Sequence, residues 1–233
     1  QHLEPYIQLC LFTITQHHPD YQIMLVNQDN IQYLLPEINI DMGVYSKIPL
    51  GRRMDLIGAM LLSKYGGIWV VPNVIMQTSL TPIYQKLSKV DIVCAGCPSQ
   101  EDIDIHCPLT PSLSLLMSNK NSSVLKTFVN KLLKIIDNSS YDFHQSGEVL
   151  LSQHLEMNLK YGKLKYWYLP TNHLGTRDYQ GKLITLENLF SQNYTQVRNP
   201  SDVFLYLLDR EMIHRSIKFG WFERFSINQI LES

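Results

Sequence analysis

The chain has 233 residues, of which 45% are apolar, 10% aromatic and 18% charged, enough to bury a sizeable core as a single domain over 1–233. Its 20 basic and 21 acidic residues leave a net charge of −1, which excludes the basic character of a dedicated nucleic-acid binder. With 11 Gly and 11 Pro and no like-charge block, the collagen, coiled-coil and low-complexity classes are excluded as well.

In chain order, the opening QHLEPYIQLC reads as the interior of a helix, so native sequence is expected upstream of Gln1. Leu3, Ile7, Cys10, Leu11 and Ile14 recur at helical spacing over 3–17, and Pro19 with Asp20 ends that helix. YQIMLVN, 21–27, predicts a strand, and Asp29 predicts a cap for a short helix over Asn30 to Leu35, stopped by Pro36. RRMDLIGAMLLSK, 52–64, predicts a buried helix ending at Gly66-Gly67, and GIWVV after it predicts a strand buried on both faces. Met54 to Met76 is the most apolar stretch. Lys64, the Gly pair and Pro72 break it well short of the roughly 18 uninterrupted apolar residues of a membrane-spanning helix.

Thr81 as N-cap and Pro82 at the first helical position predict a helix to about residue 88, followed by the short buried strand VDIVCAG. The Pro-punctuated sequence from 98 to 112 reads as the longest loop. Residues 122–137 place Val124, Phe128, Leu132 and Ile135 on one stripe of an amphipathic helix. A further helix is expected from Gly147 to about Asn158 and a strand in KLKYWYLP. The tail reads as a loop over 171–182, two helical pieces and a final turn. Alternating α and β signals predict a layered α/β domain. Four cysteines are too few for a disulfide scaffold at this length and favour a reducing compartment, hence the cytoplasm.

The segment from Arg52 to Leu80 carries the most chemistry. It puts Asp55 near the start of a buried helix, a Tyr65-Gly66-Gly67 break after it, and then a strand whose polar exit, Val71 to Asn73, is where α/β sheets collect ligands. Asp55, Leu61, Leu62, Tyr65, Gly66, Gly67, Ile68 and Trp69 resemble the signature of the DXD-motif sugar transferases and their relatives in capsular polysaccharide synthesis. Fainter similarity covers PYIQLCLFTITQHHPDYQIMLVN and HQSGEVLL, 144–151.

The resemblance implies a GT-A-like, Rossmann-type mixed sheet flanked by helices, its first strand upstream of Gln1. It implies a nucleotide-sugar-binding core over 1–165 and a helical acceptor-side portion over 166–233. The implied partners are a nucleotide-sugar donor and a glycan or other hydroxyl acceptor, with a divalent ion, Mn²⁺ or Mg²⁺, at Asp-x-Asp. This chain departs from that motif, because Val71-Pro72-Asn73 stands in its place. Valine offers no ligand, and Asn73 keeps one neutral oxygen where two carboxylates would neutralise a diphosphate leaving group. Cationic Arg52, Arg53 or Arg177 are the candidate replacements for the ion's charge.

By the same resemblance, Asp55, Glu148 and Asp178 are the candidate catalytic residues, Glu148 or Asp178 meeting the transferred sugar. Arg52, Arg53, Tyr65, Gly66, Gly67, Trp69, Asn73, Gly147 and Arg177 are the candidate donor-binding set. Gly147, opening a helix, would offer backbone N–H groups to an anion. His173 and His214 are candidates for the late metal-ligating histidine. Each has a plainer alternative: Asp55 as a carboxylate favoured by a helix dipole, the glycines as turn formers, Trp69 as core, and the arginines as solvated surface. Cys94, Cys97, His106 and Cys107 do not repeat paired zinc-ligand spacing, so no zinc is expected. A second reading is a transferase-like domain that binds glycan or protein without turnover; the missing Asp-x-Asp is its support.

Overall fold

Pro5, at a helix position that needs no N–H, opens α1 (Pro5–His17), which runs to the Pro19-Asp20 break as the periodicity predicts. The computed structural model describes residues 3–36, 45, 48–96, 111–137, 147–161, 165–169, 174–175 and 205–207. After α1 the elements are α2 (Ile31–Leu34), α3 (Leu50–Tyr65), β1 (Gly67–Val70), β2 (Val74–Met76), α4 (Thr81–Tyr84) with a 3-10 turn (Gln85–Ser88), β3 (Ile92–Gly96), β4 (Pro111–Ser118), α5 (Ser123–Asp137), α6 (Glu148–Lys160), β5 (Tyr166–Leu169), β6 (Leu174–Gly175) and β7 (Leu205–Leu207). They fall into two units that interleave along the sequence. The larger comprises Gln22–Val71 and Pro82–Leu169, and the smaller comprises Gln1–Tyr21, Pro72–Thr81 and Pro170–Ser233.

The larger unit is built on a mixed sheet of order β1-β4-β3-β5. β4 runs antiparallel to β1 and β3, and β5 parallel to β3, so the architecture is mixed α/β as the alternating signals predict. Leu56, Ala59 and Leu62 of α3, Leu125, Phe128 and Leu132 of α5, and Leu151 and Leu155 of α6 meet Ile92, Cys94, Leu113 and Leu116 of the sheet in one core. The three-to-four-residue spacings are those of a helix face laid on a sheet. Burial pushes the Cys94 thiol up to about 12, so it behaves as a small apolar side chain. Cys97, His106 and Cys107 lie outside the described residues.

In the larger unit three expectations need correction. First, residues 22–27 form no strand. Asn27 Oδ1 instead accepts the N–H groups of Asp29 at 2.9 Å and Asn30 at 3.1 Å, while Asn30 Oδ1 accepts that of Asn27 at 2.9 Å. Such side-chain bonds compete with a ladder for the backbone. They also displace Asp29 as a cap, since the Ile31 N–H goes to the Asn27 carbonyl at 3.2 Å. Second, β1 is only half-buried along its length, because among the described residues it is a sheet edge with one neighbour. Third, the 98–112 loop ends earlier, at the eight-residue strand β4 in the sheet's interior. The serines of β4 are satisfied there: Ser118 Oγ donates to the Leu62 carbonyl at 3.2 Å, and Ser112 Oγ accepts the Ser114 N–H at 3.2 Å. Pro111 takes the first strand position, where proline is tolerated.

His154 joins α6 to α5. Its Nε2 donates to the Val124 carbonyl at 3.1 Å, which leaves Nδ1 to accept from Lys131 Nζ at 3.3 Å and face the Asn158 amide. Burial first, then the Lys131 charge, hold the imidazole below its ordinary range against the Val124 contact. The unfolded chain therefore takes up this proton first. The stability His154 provides is complete above about pH 6.5 and declines as the pH falls toward the folded value. Denaturant midpoints measured near pH 7 and pH 5 should differ less for His154→Gln than for the wild type; an equal difference would remove His154 from this role.

In the smaller unit α1 packs against β2, within a sheet of order β2-β7-β6. Thr13 Oγ1 donates to the Cys10 carbonyl at 2.8 Å and accepts the Met76 N–H at 3.0 Å, so helix and strand share a satisfied polar contact among buried Leu9, Cys10, Val74 and Ile75. His18 Nε2 accepts the Leu80 N–H at 2.9 Å, which requires the tautomer whose Nδ1–H donates to the Ile14 carbonyl. The expected Thr81 cap is placed earlier, since Ser79 Oγ accepts the Thr81 N–H at 3.2 Å. β6 and β7 fall where loop and helical pieces are expected; strands of two and three residues are too short to show alternation. No helix among the described residues is long and apolar enough to cross a membrane.

Candidate functional site

Arg52 and Asp55 lie one helical turn apart on α3, so their side chains leave the same face and pair, Arg52 Nη1 to Asp55 Oδ2 at 2.9 Å. The pair is withdrawn from water: the side chains are 18% and 15% exposed. Burial pushes the Asp55 carboxyl above the usual carboxylate range, and the Arg52 hydrogen bond and charge only partly reverse this. An imperfectly compensated carboxylate of this kind is a mark of functional sites.

The third member comes from some ninety residues further along the chain. Gly147 enters α6 with φ +67, and its carbonyl accepts the Leu151 N–H at 2.9 Å to start the helix. Its Cα hydrogens face the ion pair. A Cβ built there would land on the Arg52 guanidinium and sit 3.1 Å from Asp55 Oδ2. The left-handed backbone favours glycine here, and any added side chain would displace the Arg52 guanidinium. Helix α6 starts over the pair with the free N–H groups that every helix N-terminus carries. Three residues singled out in the sequence, Arg52, Asp55 and Gly147, thus come together.

Others in the candidate set do not join them. The Tyr65 hydroxyl donates to the Leu34 carbonyl at 2.6 Å, beside a 3.1 Å bond from Lys64 Nζ to the same oxygen, so Tyr65 ties α3 to α2. Gly66, at φ +71, closes α3, and a Cβ there would meet the Lys120 backbone nitrogen at 2.5 Å. Gly67 turns the chain into β1 at φ +103. Trp69 packs into the core over Gly58, where a Cβ would approach the indole within 2.5 Å. These four are explained by folding. The α6 backbone begins at Glu148, while Arg177, Asp178, His173 and His214 lie outside the described residues.

Sequence reasoning missed the partner of Arg53. The Tyr45 ring lies under its guanidinium, Cζ 5.4 Å from the ring centroid, and Tyr45 in turn packs on the core. No periodicity or motif marks Tyr45, since the contact arises only in the tertiary fold.

The donor set for a divalent ion was tested at the strand exit. The Val71 N–H continues the ladder to the Ser114 carbonyl at 3.0 Å, and its side chain has no donor atom. Asn73 is half-buried in the smaller unit and holds an interaction of its own. Among the described residues no three His, Cys, Asp or Glu side chains gather as a metal group. One neutral amide oxygen does not fit Mn²⁺ or Mg²⁺.

Residues 2–196 match the family model described as "Capsular polysaccharide synthesis protein". No curated protein matches the chain. Among solved structures, the chain is similar to a galactosyltransferase, LgtC, in complex with donor and acceptor sugar analogs, at 11% identity over 98% of this chain and 90% of that one, with a TM-score of 0.47. It is similar also to an active-site mutant of LgtC, at 13% identity over 93% and 91% of the two chains, with a TM-score of 0.45.

Proposed function

From the premise that the chain belongs to the capsular polysaccharide synthesis protein family, we propose that it is a glycosyltransferase, moving a sugar from a nucleoside diphosphate sugar to a hydroxyl of a glycan or other acceptor. The observation that carries this reading is the buried Arg52–Asp55 pair beneath Gly147. In such a transfer the acceptor oxygen bonds to the anomeric carbon as the bond from that carbon to the phosphate oxygen breaks. The diphosphate leaves with the electron pair, and the acceptor gives up its proton. Charge builds on the leaving oxygen, and fixed positive groups lower that barrier most when they are held in place before the reaction.

Arg52 is held in this way by Asp55, and the N–H groups at the start of α6 add partial positive charge over the same pair. The Asp55 carboxylate, not fully satisfied by Arg52, is suited to accept a hydroxyl of the donor. Family resemblance supports Glu148 and Asp178 as the residues that meet the transferred sugar.

The test is thermal stability of the chain against a panel of nucleotide sugars, with and without Mn²⁺, alongside Asp55→Asn. A donor at about a hundred times its Kd adds roughly 2.7 kcal/mol, a rise of several degrees. The wild type is expected to shift with one donor and to turn it over, and Asp55→Asn to lose both. Equal shift and turnover in Asp55→Asn would end this assignment of the site. The second reading, a binding module without turnover, is favoured by Val71 and Asn73 at the strand exit. It predicts glycan binding with no donor shift.

A further inference from the structure

The larger unit carries a lysine-rich face that no step of the proposed transfer uses. Neither residues 56–90 nor residues 111–136 contain Asp or Glu, although the chain as a whole has a net charge of −1. The fold brings these two acid-free segments together. Asn119 Nδ2 donates to the Leu87 carbonyl at 3.0 Å, which holds the turn carrying Lys86 and Lys89 beside the corner between β4 and α5. Asn119, Lys120 and Asn121 at that corner are all exposed, and Asn121 takes a left-handed φ of +63, which asparagine tolerates. From the corner α5 leads away with Lys126, Asn130 and Lys134 four residues apart on its exposed face. Lys89, Lys120, Lys126 and Lys134 have no ion-pair partner among the described residues. Asp91, two residues past Lys89, turns its carboxylate to the Lys165 N–H at 2.8 Å. Like charges gathered without counter-charges repel one another and draw in a partner of the opposite sign.

We infer that this face, with Lys86, Lys89 and Lys120 at the corner and Lys126 and Lys134 along α5, binds an acidic glycan chain and so holds a polymeric acceptor at a distance from the donor cluster. This rests on the reading of the chain as a glycosyltransferase. The corner abuts the last turn of α3, where the Asn121 N–H meets the Ser63 carbonyl at 2.9 Å, roughly 20 Å along that helix from Arg52. The face is therefore separate from the Arg52–Asp55–Gly147 cluster. Its charges repeat along a line, as the carboxylates of a polymer of uronic acids do. Lysine ammonium groups are point charges that meet such carboxylates without a fixed geometry, and the exposed asparagines between them offer hydrogen bonds to sugar hydroxyls. An anionic membrane has the charge but lacks a matching remainder. Helices that lie in a lipid interface turn large apolar side chains to it, and among the described residues neither the corner nor α5 exposes one.

The probes are polygalacturonate, neutral dextran and phosphatidylglycerol vesicles, each measured against the full chain. The wild type is expected to bind polygalacturonate, to release it as salt rises, and to leave dextran unbound. A triple variant, Lys120→Gln with Lys126→Gln and Lys134→Gln, removes exposed charges alone. It should keep the wild-type melting temperature and the wild-type response to nucleotide sugars, and weaken polygalacturonate binding by roughly 10-fold or more. Unchanged polygalacturonate binding in that variant, or a wild type that binds dextran equally well, would overturn the inference and leave the transferase reading standing. Binding to the vesicles without binding to polygalacturonate would overturn it too and give the face to a lipid surface. A wild type that binds polygalacturonate through these lysines but shifts with no nucleotide sugar would uphold the face as a glycan surface and overturn the transferase reading.

Discussion

Gly147→Ala is expected to lower stability by about 1–2 kcal/mol and to abolish donor binding. The left-handed backbone at φ +67 costs an L-residue about 1–2 kcal/mol, while the added methyl meets the movable end of the Arg52 side chain. The functional loss has a different origin from the strain. The new methyl meets the Arg52 guanidinium, so either Arg52 leaves Asp55 or the start of α6 moves away from the pair. Gly67→Ala is the control, because its φ of +103 is strained but nothing lies within 4 Å of the added atom. That variant should lose stability and keep its donor affinity. Melting curves with and without the donor separate the two cases; a Gly147→Ala protein that binds donor as the wild type does would show that the contact has no functional weight.

Phe128→Ala should cost about 3–5 kcal/mol, which for a chain of this size is on the order of ten degrees in melting temperature. Phe128 is fully buried in the core shared by α3, α5, α6, β3 and β4, so the cavity would open where those elements converge and little can collapse into it. Val149→Ala on α6, at a position 43% exposed, should change stability by less than about 0.5 kcal/mol. Calorimetry of the two variants checks the assignment of the core, and a Phe128→Ala loss below about 1 kcal/mol would place the core elsewhere.

What could be read from the sequence follows from how locally each feature is encoded. α3 and its Gly66 stop are written in contiguous residues, with an apolar face, then a basic last turn, then glycine. Asp55 and Gly147 are legible because each is set by a short motif or by backbone geometry. Their meeting is not, because it depends on α6 docking against α3. The mis-assigned strand at 22–27 has the right composition, but the Asn27–Asn30 knot forms within four residues while a ladder needs a partner from elsewhere. β4 begins inside the stretch read as loop, and one acceptor of its Ser118, the Leu62 carbonyl, comes from more than fifty positions earlier. Arg53 stands out in the sequence only as one of two adjacent arginines. What distinguishes it is the ring of Tyr45 beneath it and, among the described residues, the lack of an acceptor for its buried Nε.

The pairing of β2 with β7 joins Val74 to Leu207, roughly 130 positions later in the chain, so the loop-closure cost of that ladder is high. On a translating ribosome moving about 5–20 residues per second, Val74–Met76 waits on the order of ten seconds for its neighbour to be made. During that interval a fully apolar strand has a bare edge. α1 is already synthesised and brings Thr13 to the Met76 N–H. That contact satisfies one N–H group of the strand from a helix made earlier in the chain, and it persists beside the pairing with β7 in the folded protein.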